Sequence, residues 1–266
     1  MHVYFHIFGR DIPAYGLMIF TGILLANIIG LLMVKKDKRD IYDLVLIEGY
    51  AVLGGFGGAK LLFIIVSFND IDWSRVFGDL DYFNSVIGGG FVFYGGLIGG
   101  LIAAILCCRI HKIDMPYFFT RYIFLIPFIH SFGRVGCFCA GCCYGVPYDG
   151  PLAVVFPEGS YAIPGIKLFP VQAVEAAGLM IIALIVLLLA LKFRFRYTVE
   201  AYLFLYAILR FILENYRYDE ARGIYFGLST SQWISILMAV TAIVSVAIRI
   251  RKPSATTKTP PEVATS

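Results

Sequence analysis

The chain has 266 residues, of which 59% are hydrophobic and 15% charged, with a mean hydropathy of +0.81 and a formal net charge of +4. Soluble domains carry about a quarter charged residues, so a globular enzyme built around a large core is excluded. The basic residues come as short clusters between apolar runs, which argues against a nucleic-acid partner.

About 20 apolar residues cross a bilayer core as a helix. In chain order the candidate spans are 14–34, 43–66, 86–108, 116–137, 171–191, 198–215 and 231–249. No cleavable leader is expected, because the first apolar run starts near Pro13 and its basic cluster follows rather than precedes it. KKDKR (35–39), RIHK (109–112), KFRFR (192–196) and RIRK (249–252) follow alternate spans. The intervening loops and the N-terminus carry only Arg10, Arg75, Lys167, Arg217 and Arg222. The positive-inside rule therefore predicts an all-α integral membrane protein with seven transmembrane helices, N-terminus outside and C-terminus cytoplasmic. One polytopic domain is expected over 1–252. The polar tail 253–266, PSATTKTPPEVATS, is expected to be a disordered cytoplasmic segment.

Four cations fall inside the expected spans: Lys60, Arg121, Arg134 and Arg210. Arg121 is expected to snorkel at the cytoplasmic end of span four. A charge at bilayer depth costs about 2.5–3.5 kcal/mol, so the other three should face a partner or a wet cavity. With the predicted directions, Lys60, Arg134 and Arg210 all approach the outer ends of their spans. Tyr15 and Tyr94 fall at the same depth. Arg210, Glu214 and Arg217 are spaced by four and three and share one helix face, as do His130 and Arg134. The plainer reading is an ion-pair network that only locks helices together.

Span three reads VIGGGFVFYGGLIGGLIAAIL. Gly95/Gly99 and Gly96/Gly100 are small-xxx-small pairs suited to close helix approach. Alternatively, the triple glycine at 88–90 starts the helix late and leaves a re-entrant edge. Cys137, Cys139, Cys142 and Cys143 form C-x-C-x2-C-C with no second Cys/His pair nearby, so no metal is expected. Small packing residues are the favoured reading, with a disulfide or a reactive thiol as alternatives.

From about Tyr15 to Trp233 the chain resembles the bacterial prolipoprotein diacylglyceryl transferases. The resemblance rests on AYGLM (14–18), FYGGLIGG (93–100), GRVGCFCAG (133–141) and RFILENYR (210–217). It implies transfer of the diacylglyceryl group of phosphatidylglycerol onto the lipobox cysteine of prolipoprotein signal peptides, forming a thioether and releasing glycerol phosphate. It implies a multi-pass protein of the bacterial cytoplasmic membrane, with its active site near the outer leaflet and no cofactor. Arg134 and Arg210 would be the essential arginines, with Glu214 and Tyr94 beside them in catalysis. Tyr15, Lys60, His130, Cys137, Gly141 and Arg217 would bind substrate. Departures from the family pattern accompany it. Tyr94 stands where the family has histidine, Cys137 and Ala140 replace signature asparagines, and Cys142 replaces an acid. The proton acceptor therefore stays open between Tyr94, His130 and ionisation of the thiol in the arginines' field. Rival readings are a phospholipid-binding or lipid-transport protein, a paralogue with another acceptor, and an assembly scaffold.

Overall fold

The computed structural model describes residues 3–7, 9–193, 195–218 and 223–251, without the side chains of Ile7 and Phe93. The expected tail at 253–266, and Arg194, Arg222 and Lys252 among the topology-setting cations, lie outside the described residues. The described chain is mostly helical. A hairpin of β1 (Tyr4–Ile7) and β2 (Arg10–Pro13) leads into α1 (Ala14–Lys36) and α2 (Ile41–Val66). Then come α3 (Trp73–Gly78), α4 (Leu80–Gly88), α5 (Phe93–Ile110), α6 (Met115–Tyr122) and α7 (Leu125–Ala140). The ribbon of β3 (Val154–Val155) and β4 (Lys167–Leu168) precedes α8 (Val171–Leu191) and α9 (Thr198–Glu214). The ribbon of β5 (Ile224–Tyr225) and β6 (Leu228–Ser229) precedes α10 (Thr230–Arg251).

Among the described residues four helices, α1, α2, α8 and α10, are long and apolar enough to cross a membrane, and α6 with α7 makes a fifth if the pair is one span bent by 43°. Pro127 gives that break a cause: it lacks the N–H for an i−4 bond, and its ring crowds the carbonyl of Ile123. Large apolar side chains such as Leu32, Leu53, Phe56 and Ile250 are exposed along these helices. In water such continuous apolar surface is a liability, whereas lipid solvates it.

The chain forms two compact units, Met1–Asn27 with Phe119–Ser266, and Ile28–Phe118. In the second unit α2 lies against α5 through glycines. A Cβ on Gly58 would strike the carbonyl oxygen of Gly95, and one on Gly99 would strike that of Gly54. The glycines of span three thus serve close packing. The expectation of one continuous helix from residue 86 is corrected, and the late start read from the triple glycine at 88–90 holds. α4 ends at Gly88, Gly90 is left-handed (φ +64°), and α5 begins only at Phe93. Lys60 closes this break: its ammonium donates to the carbonyls of Val86, Gly89 and Gly90 and lies 4.8 Å from the ring of Phe91. Asp72 and Asp79 cap α3 and α4, accepting from the amides of Ser74 and Arg75 and of Asp81 and Tyr82.

In the first unit α7, α8, α9 and α10 pack in sequence order. Arg121 does not merely snorkel: it donates to the Ala190 carbonyl at 2.8 Å and so caps the last turn of α8. In the first turn of α9, Glu200 accepts from Arg249 (2.6 Å) and Ser245 (2.8 Å) of α10. The segment between α7 and α8 builds its own small core from Phe156, Ala162 and Leu168, with Phe138, Tyr144 and Val154 packed against it.

Candidate active site

The site grows from the helix period. On α7, His130 and Arg134 are one turn apart. On α8, Gln172 and Glu175 share a face, and on α9 Tyr206, Arg210 and Glu214 form one stripe. Where these faces meet, one carboxylate oxygen collects three cations. Glu175 Oε2 lies 3.1 Å from Arg134 Nε, 3.8 Å from Arg210 Nη1 and 3.8 Å from Arg217 Nη1. Glu175 is wholly buried, and the three arginine side chains are 16%, 12% and 3% exposed. Neither Arg134 Nε nor Arg210 Nη1 makes a hydrogen bond there. Arg210 is also held by Glu214 at 2.9 Å and by the Ser231 hydroxyl at 3.2 Å. Ser229 donates to Glu214 Oε1 at 2.9 Å, and Gln232 ties Ser229 to Asn215.

Among the described residues, three guanidiniums thus face two carboxylates. Guanidiniums gathered at this depth suit an anion, and their planar forks match phosphate oxygens.

Arg217 is placed by backbone pairing rather than by a helix. Val146 N–H donates to the Tyr216 carbonyl (3.0 Å) and Tyr218 N–H to the Tyr144 carbonyl (3.2 Å), while Tyr144 stacks on Tyr218. Only glycine fits at 145, since a Cβ would strike the carbonyls of Phe169 and Tyr216.

The same turn gathers the cysteines. Gly141 ends α7 in the left-handed region (φ +76°), and Cys143 is left-handed too (φ +56°). The amides of Gly141 and Cys142 both return to the Cys137 carbonyl, at 2.9 and 3.2 Å. Gln172 clamps the Cys142 carbonyl at 2.8 Å. As a result the sulfurs of Cys137, Cys142 and Cys143 lie within 4.8 Å of one another. Cys137 is buried, Cys142 half-buried and Cys143 exposed, so the group opens to one side. Hydrogen bonds from the Cys137 and Cys142 thiols, aided by the charges of Arg217 and Arg134, hold the Cys143 thiol well below its ordinary pKa. Cys139 stands apart from this trio.

Of the expected site residues, the first unit brings Arg134, Arg210, Glu214 and Arg217 together. His130 sits one turn from Arg134, edge-on to Tyr206 at 5.5 Å between centroids. Tyr15 packs its backbone on Gly136 and lines a cleft of about 250 Å³ with Pro13, Ala140, Cys142 and Tyr161. Lys60 and Tyr94 belong to the second unit, where Lys60 is engaged by the carbonyls above and Tyr94 stands in the first turn of α5. The residue missed by sequence reasoning is Glu175. Its signal was a lone carboxylate inside the apolar run VQAVEAAGLM, which merits the same suspicion as a buried arginine.

The sequence model of the prolipoprotein diacylglyceryl transferase family matches residues 2–248. The chain is similar to phosphatidylglycerol–prolipoprotein diacylglyceryl transferase of Clostridium tetani, at 36% identity over 91% of this chain and 94% of that one. It is 33% identical to the second such transferase of Clostridium perfringens, over 89% of this chain and 91% of the relative. The enzyme of the same name from Campylobacter jejuni strain 81-176 is 32% identical over 93% of each chain.

Proposed function

The chain belongs to the prolipoprotein diacylglyceryl transferase family, and from that premise we propose how its residues perform the family's reaction. It is a multi-pass membrane transferase that moves the diacylglyceryl group of phosphatidylglycerol to prolipoproteins. The acceptor atom in our reading is the sulfur of a lipobox cysteine. The protein crosses the bacterial cytoplasmic membrane seven times, N-terminus outside, as one functional domain, and its arginine cluster lies at the depth of outer-leaflet headgroups. The charge pattern of the loops supports that orientation.

One observation carries the mechanism: Arg134, Arg210 and Arg217 converge on the single oxygen Glu175 Oε2. The phosphodiester of phosphatidylglycerol carries one negative charge, and these guanidiniums hold it. Attack of the acceptor sulfur on the glycerol carbon forms the C–S bond and breaks the C–O bond to phosphate. The electron pair leaves with oxygen, and glycerol phosphate gains a second negative charge. Arg134 and Arg210 meet that developing charge in a site of low dielectric constant, where preorganised donors act most strongly. Glu175 and Glu214 hold the forks in place and make their burial tolerable. Tyr15 and Gly141 frame the entry beside Cys142.

The test is thioether formation by the purified chain, given phosphatidylglycerol and a lipobox peptide and read by peptide mass. The peptide should gain one diacylglyceryl group on cysteine, and a Cys→Ser peptide none. Movement of lipid between leaflets without peptide modification would favour a transporter and refute the reading.

A further inference from the structure

The proposed reaction alkylates a thiol, and a thiol must lose its proton before it attacks. By the resemblance, Tyr94 stands where relatives have histidine, so no imidazole stands at that position to take the proton. Another device for making a thiolate lies in the first unit, beside the arginines. Cys137, Cys142 and Cys143 converge to within 4.8 Å between sulfurs, with Cys143 open to solvent. A tetrahedral zinc ion with Zn–S bonds of about 2.3 Å sets its sulfurs roughly 3.8 Å apart, so small rotations close the trio on one ion. Structural zinc sites use four protein ligands, while catalytic ones use three and keep the fourth position open.

We propose that Cys137, Cys142 and Cys143 form a three-thiolate site for zinc or a similar thiophilic divalent ion, whose open position takes the sulfur of the acceptor cysteine. This inference rests on the transfer reaction proposed above. Three thiolates and a divalent ion carry one net negative charge, and the guanidiniums of Arg217 and Arg134 beside Cys143 offset it. A thiol coordinated to zinc is deprotonated outright. Its proton passes to bulk water as the metal–sulfur bond forms. The bound thiolate then supplies the electron pair for the C–S bond, the C–O bond breaks, and the pair leaves on glycerol phosphate. No oxidant or reductant is needed. The neutral thioether is a weaker ligand than the thiolate and dissociates, which frees the position for the next acceptor.

The proposal departs from the expectation of no metal because the sulfurs converge, which spacing along the chain does not reveal. A C-x-C-x2-C-C run lacks a second knuckle, yet the left-handed turns at Gly141 and Cys143 let three of its cysteines meet without one.

The experiment titrates the reduced full-length chain in detergent micelles with cobalt(II) alone, read by absorption. Intense thiolate-to-cobalt bands that saturate at one ion per chain are expected, together with visible bands of tetrahedral strength. Cys139→Ala should keep them, and Cys142→Ser with Cys143→Ser should lose them. A lipobox peptide should shift the bands and its Cys→Ser counterpart should not. Zinc-loaded protein should then turn over at least tenfold faster than chelated protein. Absence of the bands, or their persistence in the double variant, would overturn the site. A disulfide among the three in the oxidised protein, with full activity and no metal in the reduced protein, would also overturn it. Cobalt bands without a peptide-dependent shift would overturn the catalytic role. Failure of the transfer reaction itself is read separately: no thioether with any metal load refutes the proposed function, while normal transfer by the chelated chain refutes only this inference.

Discussion

Glu175 is the sharpest place to perturb the site, because one oxygen serves three cations. Glu175→Gln keeps the size of the side chain and removes its charge. With an effective dielectric constant of 20, a pair at 3.1 Å is worth about 5 kcal/mol and one at 3.8 Å about 4 kcal/mol, before desolvation is subtracted. Desolvation cancels most of that sum, and breaking a buried pair typically costs about 3–5 kcal/mol. At roughly 2 °C or more per kcal/mol for a chain of this size, the midpoint of thermal unfolding should fall by at least about 6 °C. The assay is unfolding in zwitterionic micelles without phosphate in the buffer. The variant deprives the three guanidiniums of the carboxylate they share, so an anionic phospholipid should restore more stability to it than to the parent. Glu175→Asp, which keeps the charge, should lose much less than Glu175→Gln. A midpoint within about 2 °C of the parent, with no differential rescue by phosphatidylglycerol, would refute the idea that Glu175 neutralises the cluster.

Other outcomes follow from the packing and the caps. Gly58→Leu places a side chain against the Gly95 carbonyl and should prevent α2 from meeting α5, read as loss of monodisperse protein in detergent; Gly57→Leu, with open space around its Cβ position, should be tolerated. Asp79 is exposed, and hydrogen bonds from the Tyr82 amide and then the Arg75 side chain hold its carboxyl below the usual range. The stabilisation it lends the start of α4 is therefore present above an unfolded pKa near 3.9 and lost as pH falls through the lower folded value, so amide exchange at Asp81 and Tyr82 should rise selectively below about pH 4. Arg121→Met keeps the apolar stem but removes the donor to Ala190, and should increase exchange at the last turn of α8.

The helices were legible where apolar runs are long. The ends of α1, α2, α8 and α10 fall within a few residues of the expected spans, because hydropathy and flanking charges coincide there. Average hydropathy sets the start of span three too early, at residue 86, whereas the triple glycine at 88–90 points to the later start that the structure has. The face shared by Arg210 and Glu214 was visible from their spacing, as both lie on α9. Glu175 was as visible as Arg134 by the cost of burying a charge. Its position at the centre depends on how α7, α8 and α9 come together, which no spacing along one helix encodes. The cysteine trio was hidden for a different reason. Spacing names the candidates, but two left-handed residues decide which sulfurs meet.

The central claim is that the arginine forks stabilise charge on the departing phosphate, and Arg134→Lys tests it most directly. The variant keeps the positive charge and loses the planar fork. Single-turnover thioether formation and equilibrium binding of phosphatidylglycerol are measured on the same preparation. Losing an aligned donor at a developing oxyanion costs about 3–4 kcal/mol, so the chemical step should slow by roughly 10²–10³-fold while lipid affinity changes by less than about threefold. A near-normal rate, or a loss confined to lipid binding with the bound lipid reacting normally, would contradict the account.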